Sequence, residues 1–190
     1  MVPDVDPSDA HLLARSVAGD TATFGMLMKR HEDHVFGLAM KILGNRSDAL
    51  DATQDAFVSA FRQAASFRGD AAVGTWLYRI AANASKDVLR KKKRWVAQDE
   101  RTIETIGASE PGVESMVADR IVVHDALAQL PDEYREAVVM HDLGGIPYQE
   151  IATLTGTHIG TVKSRISRGR RRLAELMEHP SATETSKEVT

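Results

Sequence analysis

Apolar residues recur at three- and four-residue intervals along most of the chain, and nowhere do they alternate with polar ones as a half-buried strand would require. Leu12, Leu13 and Val17 follow Ser8-Asp9 and precede Gly19, which predicts a helix over about 9–18. Asp20 or Thr21 can cap a second helix to about 43, with Phe24, Leu27, Val35, Leu38, Ala39 and Ile42 at helical spacing and Gly44-Asn45 as its stop. Ser47 is the expected cap of a third helix to about 64, with Ala49, Thr53, Ala56, Phe57, Ala60 and Phe61 on one face. The most regular stripe is Val73, Trp76, Leu77, Ile80, Ala81, Ala84 and Val88, which predicts a fourth helix to about 94.

Residues 95–117 lose this periodicity. They are acidic, contain Gly107 and Pro111-Gly112, and read as a flexible linker. Periodicity returns in four helices at about 118–129, 132–142, 148–154 and 159–178, with Pro131 and Pro147 at helix starts, where a missing N–H costs nothing. The polar tail 179–190 is expected to be disordered. The pattern predicts an all-α fold: a first helical domain over 8–94, a linker over 95–117 and a second helical domain over 118–178.

Charge adds a second layer. The net charge of −3 argues against nucleic acid, but it averages over segregated segments. Residues 86–94 hold six bases in nine positions and 163–172 hold six in ten, whereas 98–119 hold six acids against one Arg. There is no cysteine, which removes disulfides, thiolate metal sites and cysteine nucleophiles. The first seven residues carry two acids and no apolar run, so no signal peptide is expected. No segment approaches the roughly 20 apolar residues of a membrane helix. A cytoplasmic protein without membrane insertion is the expectation.

The segment from Tyr148 to Ile166 carries the strongest motif. Ala152 is small where a second helix must cross closely, Gly156 four residues on can take a left-handed turn, and Val162 six further can bury back against the first helix. These offsets are those of a helix-turn-helix. The second helix then divides by face, with Ile159, Val162, Ile166, Leu173 and Leu176 on the expected buried side. Thr161, Lys163, Ser164, Ser167 and Arg168 have the chemistry for base edges, and Arg171 and Arg172 suit phosphates. A basic amphipathic helix alone is more often a solvated face; the Ala152–Gly156–Val162 register turns the reading toward DNA.

A second nucleic-acid surface lies on the fourth helix. Arg79, Asn83, Lys86, Arg90 and Lys93 run along one edge opposite the apolar stripe, cations with a single amide among them. A solvated helix end accounts for 91–94 but poorly for Asn83. Trp76 lies on the apolar stripe and is expected in the core, while Tyr78 lies off it. His31-Glu32-Asp33-His34 lacks zinc-protease spacing, so these are expected to be ordinary histidines, with no metal. No nucleophile–base pair, phosphate-cradling loop or dinucleotide fingerprint occurs, so no enzyme activity and no cofactor are expected.

Several runs together resemble extracytoplasmic-function (ECF) sigma factors of the sigma-70 family. The run from Asp48 to Phe57, Phe67-Arg68-Gly69-Asp70, the run from Thr75 to Ala81, Asn83 and Asp87 are similar to region 2. Leu130-Pro131, the helix-turn-helix and the run from Gly160 to Arg165 are similar to region 4. Thr157-His158 and Gly169 depart from the family pattern, the latter standing where Ala is usual.

The resemblance implies that region 4 reads −35 duplex through Thr161, Lys163, Ser164, Ser167, Arg168, Arg171 and Arg172. It also implies that region 2 takes the −10 element as single strand. There a flipped base would enter a pocket at Phe67, Arg68, Gly69 and Asp70, with Asn83 on a base edge and Arg79, Lys86 and Arg90 on the backbone. Asp48, Asp51, Gln54 and Asp55 would bind the β′ coiled coil of core RNA polymerase, and region 4 the β flap. An anti-sigma protein is a further implied partner. A stand-alone helix-turn-helix regulator is the alternative.

Overall fold

The computed structural model describes residues 6–98, 123 and 125–178, and among them it contains helices and turns but no strand. The first domain has four helices: α1 (Asp9–Val17), α2 (Thr21–Leu43), α3 (Arg46–Gln63) and α4 (Val73–Gln98). Ser8 Oγ caps α1 by accepting from His11 N–H. Asp20 stands at the start of α2, but its carboxylate pairs with Arg15 at 2.5 Å instead of capping. The cap of α3 is Asn45, whose Oδ1 accepts from Asp48 N–H at 3.0 Å, rather than the expected Ser47. A 3-10 turn, Ala64–Ser66, ends α3.

The second domain begins for description at residue 123, with helical residues at 125–128. It continues with α5 (Asp132–Val138), which widens into a π-helical turn, Val139–Leu143, where one α-helix over 132–142 was expected. Then come α6 (Tyr148–Thr155) and α7 (Ile159–Glu178). Residues 99–117 of the expected linker and the whole tail 179–190 lie outside the described residues. Helix α4 itself runs past the expected end at 94.

Leu12, Leu27, Val35, Ile42 and Leu77 fill the first domain, and Met140, Ile146, Ile151, Val162 and Ile166 the second, all almost fully buried. These two sets are one continuous apolar cluster. The π-helical turn lies against α2 and α4, close enough that a Cβ on Gly144 would stand 3.3 Å from Leu38 Cδ1. The two domains are therefore docked on each other. Ala82 and Ser85, off the predicted α4 stripe, are also wholly buried.

Three apolar positions of the predicted stripes are exposed, Val17 among them at 50 %. Phe61 is 47 % exposed, although its ring meets Phe24 edge-on at 5.1 Å. Ile159 is 39 % exposed at the start of α7, a turn ahead of where that helix closes on α6.

Candidate nucleic-acid interface

The helix-turn-helix is built by α6, its turn and α7. Gly156 has φ +63°, a conformation that costs a side-chain-bearing residue about 1–2 kcal/mol. Gly156 N–H bonds Thr153 O at 3.3 Å and Thr157 N–H bonds Ala152 O at 3.0 Å. This is the paired closure of a Schellman motif, which satisfies carbonyls that α6 would otherwise leave open. Thr155 Oγ1 donates to Ile151 O at 2.7 Å and lies 2.9 Å from Thr157 Oγ1, bracing the turn. Ala152, Val162 and Ile166 are buried at the crossing, in the register the motif requires.

With α7 held this way, Lys163, Ser164, Ser167, Arg168, Arg171 and Arg172 are exposed and Thr161 is half-buried. Ser164 Oγ donates to Thr161 O at 2.9 Å, so this hydroxyl has a local partner. Arg170 Nε donates to Asp142 Oδ2 at 3.0 Å, and its Nη2 also pairs with that carboxylate. The resulting fork ties α7 to the π-helical turn and holds the Arg170 guanidinium above its ordinary pKa through hydrogen bonding to Asp142. Arg172 pairs with Glu175 one turn on, at 3.1 Å.

Gly169 is buried at the back of α7. A Cβ there would lie 2.6 Å from Val138 Cγ2 and 3.3 Å from Tyr134 O. Glycine is thus the residue that lets α5 and α7 approach this closely, and its spacing alone did not reveal that.

The first-domain surface divides into three parts. Phe67 packs against Trp76 with ring centroids 5.3 Å apart, while Arg68, Gly69 and Asp70 stand exposed beyond that pair. Trp76 and Tyr78 are both partly buried against the core. Burial, with Asp9 nearby, pushes the Tyr78 hydroxyl above its ordinary pKa.

The second part is the α4 edge, and it is not one open row. Asn83 is exposed, and Arg90 pairs with Asp87 at 2.9 Å. Arg79 Nε lies 3.0 Å from Glu150 Oε2 of α6, and Lys86 Nζ donates to Glu136 Oε2 of α5 at 2.9 Å. The side chain of Lys93 lies outside the described residues.

The third part is a groove of about 410 Å³ between α3 and α4, lined among others by Asp55, Ser59, Gln63, Asn83, Asp87 and Arg90. A second amide, Gln63, lines the same groove as Asn83. Sequence reading missed Gln63 because its relation to Asn83 arises only from helix pairing. On α3, Asp51, Gln54 and Asp55 are exposed, whereas Asp48 is half-buried and paired with Lys92. Exposed Leu50, Val58 and Phe61 lie along the same helix.

Histidine chemistry is local. His31 Nε2 lies 2.7 Å from Asp9 Oδ2, and His141 Nδ1 donates to Ile146 O at 3.0 Å. Among the described residues no cluster of three or more potential ligands could hold a metal, and no helix is long and apolar enough to cross a membrane.

The helix-turn-helix defines a DNA-binding class of protein, and the polar and basic edge of α4 lies apart from it on the first domain. Residues 27–95 match the family model for sigma-70 region 2, and residues 120–173 that for sigma-70 region 4. The chain is 43 % identical over 170 residues to the ECF RNA polymerase sigma factor SigM of Mycobacterium tuberculosis, covering 90 % of this chain and 85 % of the relative. It is 33 % identical over 174 residues to the ECF RNA polymerase sigma-E factor of Escherichia coli K12, covering 86 % and 91 %.

Among solved structures, the sigma factor RpoE of Bartonella quintana, in complex with the anti-sigma factor NepR, is similar with a TM-score of 0.62 and 28 % identity, covering 82 % of this chain and 96 % of that one. CnrH, in complex with the cytosolic domain of CnrY, is similar with a TM-score of 0.59 and 25 % identity, covering 92 % and 100 %. The chain belongs to the ECF RNA polymerase sigma factors of the sigma-70 family.

Proposed function

We propose that this sigma factor reads its promoter with the residues laid out above, working as the specificity subunit of RNA polymerase and not as an enzyme in its own right. In this reading residues 118–178 take the −35 duplex through α7. Thr161, Lys163, Ser164, Ser167 and Arg168 face base edges, and Arg171 and Arg172 hold phosphates. Residues 8–94 take the −10 strand, with a flipped base beside the Phe67, Arg68, Gly69 and Asp70 loop. Asn83 contacts a base edge, and Arg79, Lys86 and Arg90 contact the backbone. Unstacking a base costs a few kcal/mol, which pocket contacts must return.

The observation that carries this reading is the separation of two unlike surfaces: a helix-turn-helix with an exposed basic face, and an amide set among cations on α4. A repressor needs only the first. Asp48, Asp51, Gln54 and Asp55 are assigned to the β′ coiled coil, and the second domain to the β flap. Of the similar structures, one is a complex with the anti-sigma factor NepR and the other a complex with the cytosolic domain of CnrY, which supports an anti-sigma partner here and a cytoplasmic site of action.

Run-off transcription on a promoter library tests the reading. Strong, sequence-selective initiation should appear only when the chain is added to core polymerase. Tight specific binding of the free protein as a dimer on paired half-sites would instead mark a stand-alone regulator.

A further inference from the structure

Among the described residues the most exposed large apolar side chain is Trp95, 75 % open to solvent near the end of α4. It stands among cations. Lys91 and Arg94 are exposed within one turn of it, and Lys92 is half-buried and paired with Asp48 of α3. A tryptophan placed for packing is covered, and a helix end placed only for solubility needs no indole. An indole offers an apolar ring and one N–H donor, which suits a partner that is apolar in one part and charged in the next. The sugar–phosphate edge of a nucleic acid is such a partner, and the neighbouring cations match its charge.

Two observations place that nucleic acid. The groove between α3 and α4 runs past Asn83, Asp87, Arg90, Lys91 and Arg94, so it ends beside Trp95. The chain also leaves α4 for the second domain, to which the reading above gives the −35 element, so this end of the helix faces upstream. At a rise of about 1.5 Å per residue, Trp95 stands about 18 Å along α4 from Asn83. That is about five base pairs of duplex at about 3.4 Å each.

We propose that Trp95, Lys91 and Arg94 grip the spacer duplex just upstream of the −10 element. The indole lies against the sugar–phosphate edge, and the two cations hold phosphates. The proposal rests on the assignment of Asn83 to the −10 strand. Duplex is favoured over an unpaired base because stacking on Trp95 would require melting to reach about five positions upstream of the base that Asn83 holds. Contacts of this kind carry affinity without reading sequence. A promoter with a poor −35 element therefore depends on them most, and exchanging the spacer sequence leaves them intact.

Holoenzyme binding to fork templates tests this. Each template carries the −10 strand and no −35 element, and its upstream duplex either stops at the −10 boundary or continues for about ten base pairs. The wild type should bind the long template about tenfold or more tighter than the short one, the worth of a charge-assisted hydrogen bond or two. Trp95→Ala should lose most of that gain and Trp95→Phe only part of it, while all three proteins bind the short template alike. The Lys91→Ala/Arg94→Ala double variant should lower the salt slope on the long template by about two. Because the Trp95 side chain is so open, Trp95→Ala should match the wild type in thermal melting and in assembly with core polymerase.

A Trp95→Ala holoenzyme that keeps the whole gain from the upstream duplex would overturn the proposal. So would an equal loss on short and long templates, which would move Trp95 to the unpaired strand or to polymerase. Failure of the −10 assignment shows separately, as Asn83→Ala holoenzyme with unchanged discrimination among −10 bases.

Discussion

Lys86 Nζ donates to Glu136 Oε2 at 2.9 Å across fifty residues of chain, with the two side chains only 14 % and 11 % exposed. A basic residue on a helix edge opposite the apolar stripe is expected to face water. Here it faces the other domain, and that contact turns an apparently continuous edge on α4 into alternating open and occupied positions.

At the helix-turn-helix, Arg168→Ala should remove discrimination at one or two promoter positions, costing about 1–3 kcal/mol against the preferred base. Arg171→Ala should weaken binding by a similar factor on all sequences and lower the salt slope by about one. Holoenzyme binding to single-base-substituted −35 duplexes, at two salt concentrations, separates the two. Equal loss on every sequence for Arg168→Ala would reassign that residue to phosphate.

On α3, Asp51→Ala together with Gln54→Ala should abolish assembly with core polymerase while leaving the melting temperature unchanged, because both side chains are exposed. Asp48 differs, being half-buried and paired with Lys92 of α4, so Asp48→Ala should also lower stability, by about 1 kcal/mol. Co-elution with core polymerase and a thermal melt check both. Assembly that survives the double substitution would remove the polymerase role from this face.

The helices were legible because their stripes are local: Leu27, Leu38 and Ile42 on α2, or Leu77 and Ile80 on α4, bury as their spacing requires. So was the helix-turn-helix, since Ala152, Gly156 and Val162 act within one supersecondary unit. What could not be read is whatever docking decides. Lys86 is drawn into the contact between the domains through Glu136, and no spacing within α4 encodes that. Arg79 and Lys86 found acids on α6 and α5, and Gln63 came into one groove with Asn83 through helix pairing. Asn45 replaced Ser47 as the α3 cap because both can cap and only the entry path of the chain chooses between them.

Gly169 gives a stability test of the α5–α7 approach. Alanine gains about 1 kcal/mol in helix propensity over glycine, but its Cβ would stand 2.6 Å from Val138 Cγ2. Overpacking of that kind costs about 1–3 kcal/mol, so Gly169→Ala should destabilise the second domain by about 1 kcal/mol. Val138→Ala makes room for the added methyl, so the double variant should lose less than the two single losses summed. Urea denaturation of the four proteins in the cycle measures this coupling, and additive losses would mean that the helices adjust without strain.

The last prediction concerns acid stability and rests on Asp9, the first residue of α1. Burial works to raise its carboxyl pKa, but hydrogen bonds from Arg30 and His31 and the charges they carry outweigh it, leaving the group below its ordinary value of 3.8. Arg30 Nη1 meets Asp9 Oδ1 at 2.5 Å and also bonds Pro7 O, so one carboxylate anchors the start of α1 to α2. A carboxyl whose folded pKa is depressed stabilises the fold fully above its unfolded value and loses that contribution as pH falls through the folded value. Asp9→Asn should therefore cost less at pH 7 than the ~1–2 kcal/mol of an unscreened charged hydrogen bond, because solvent screens this pair, and the gap to the wild type should narrow as pH falls below the ordinary carboxyl value of 3.8. Urea denaturation of both proteins at pH 7, 4 and 2.5 follows it. A gap that stays constant over that range would mean that Asp9 supports α1 through hydrogen-bond geometry alone, with no contribution from its charge.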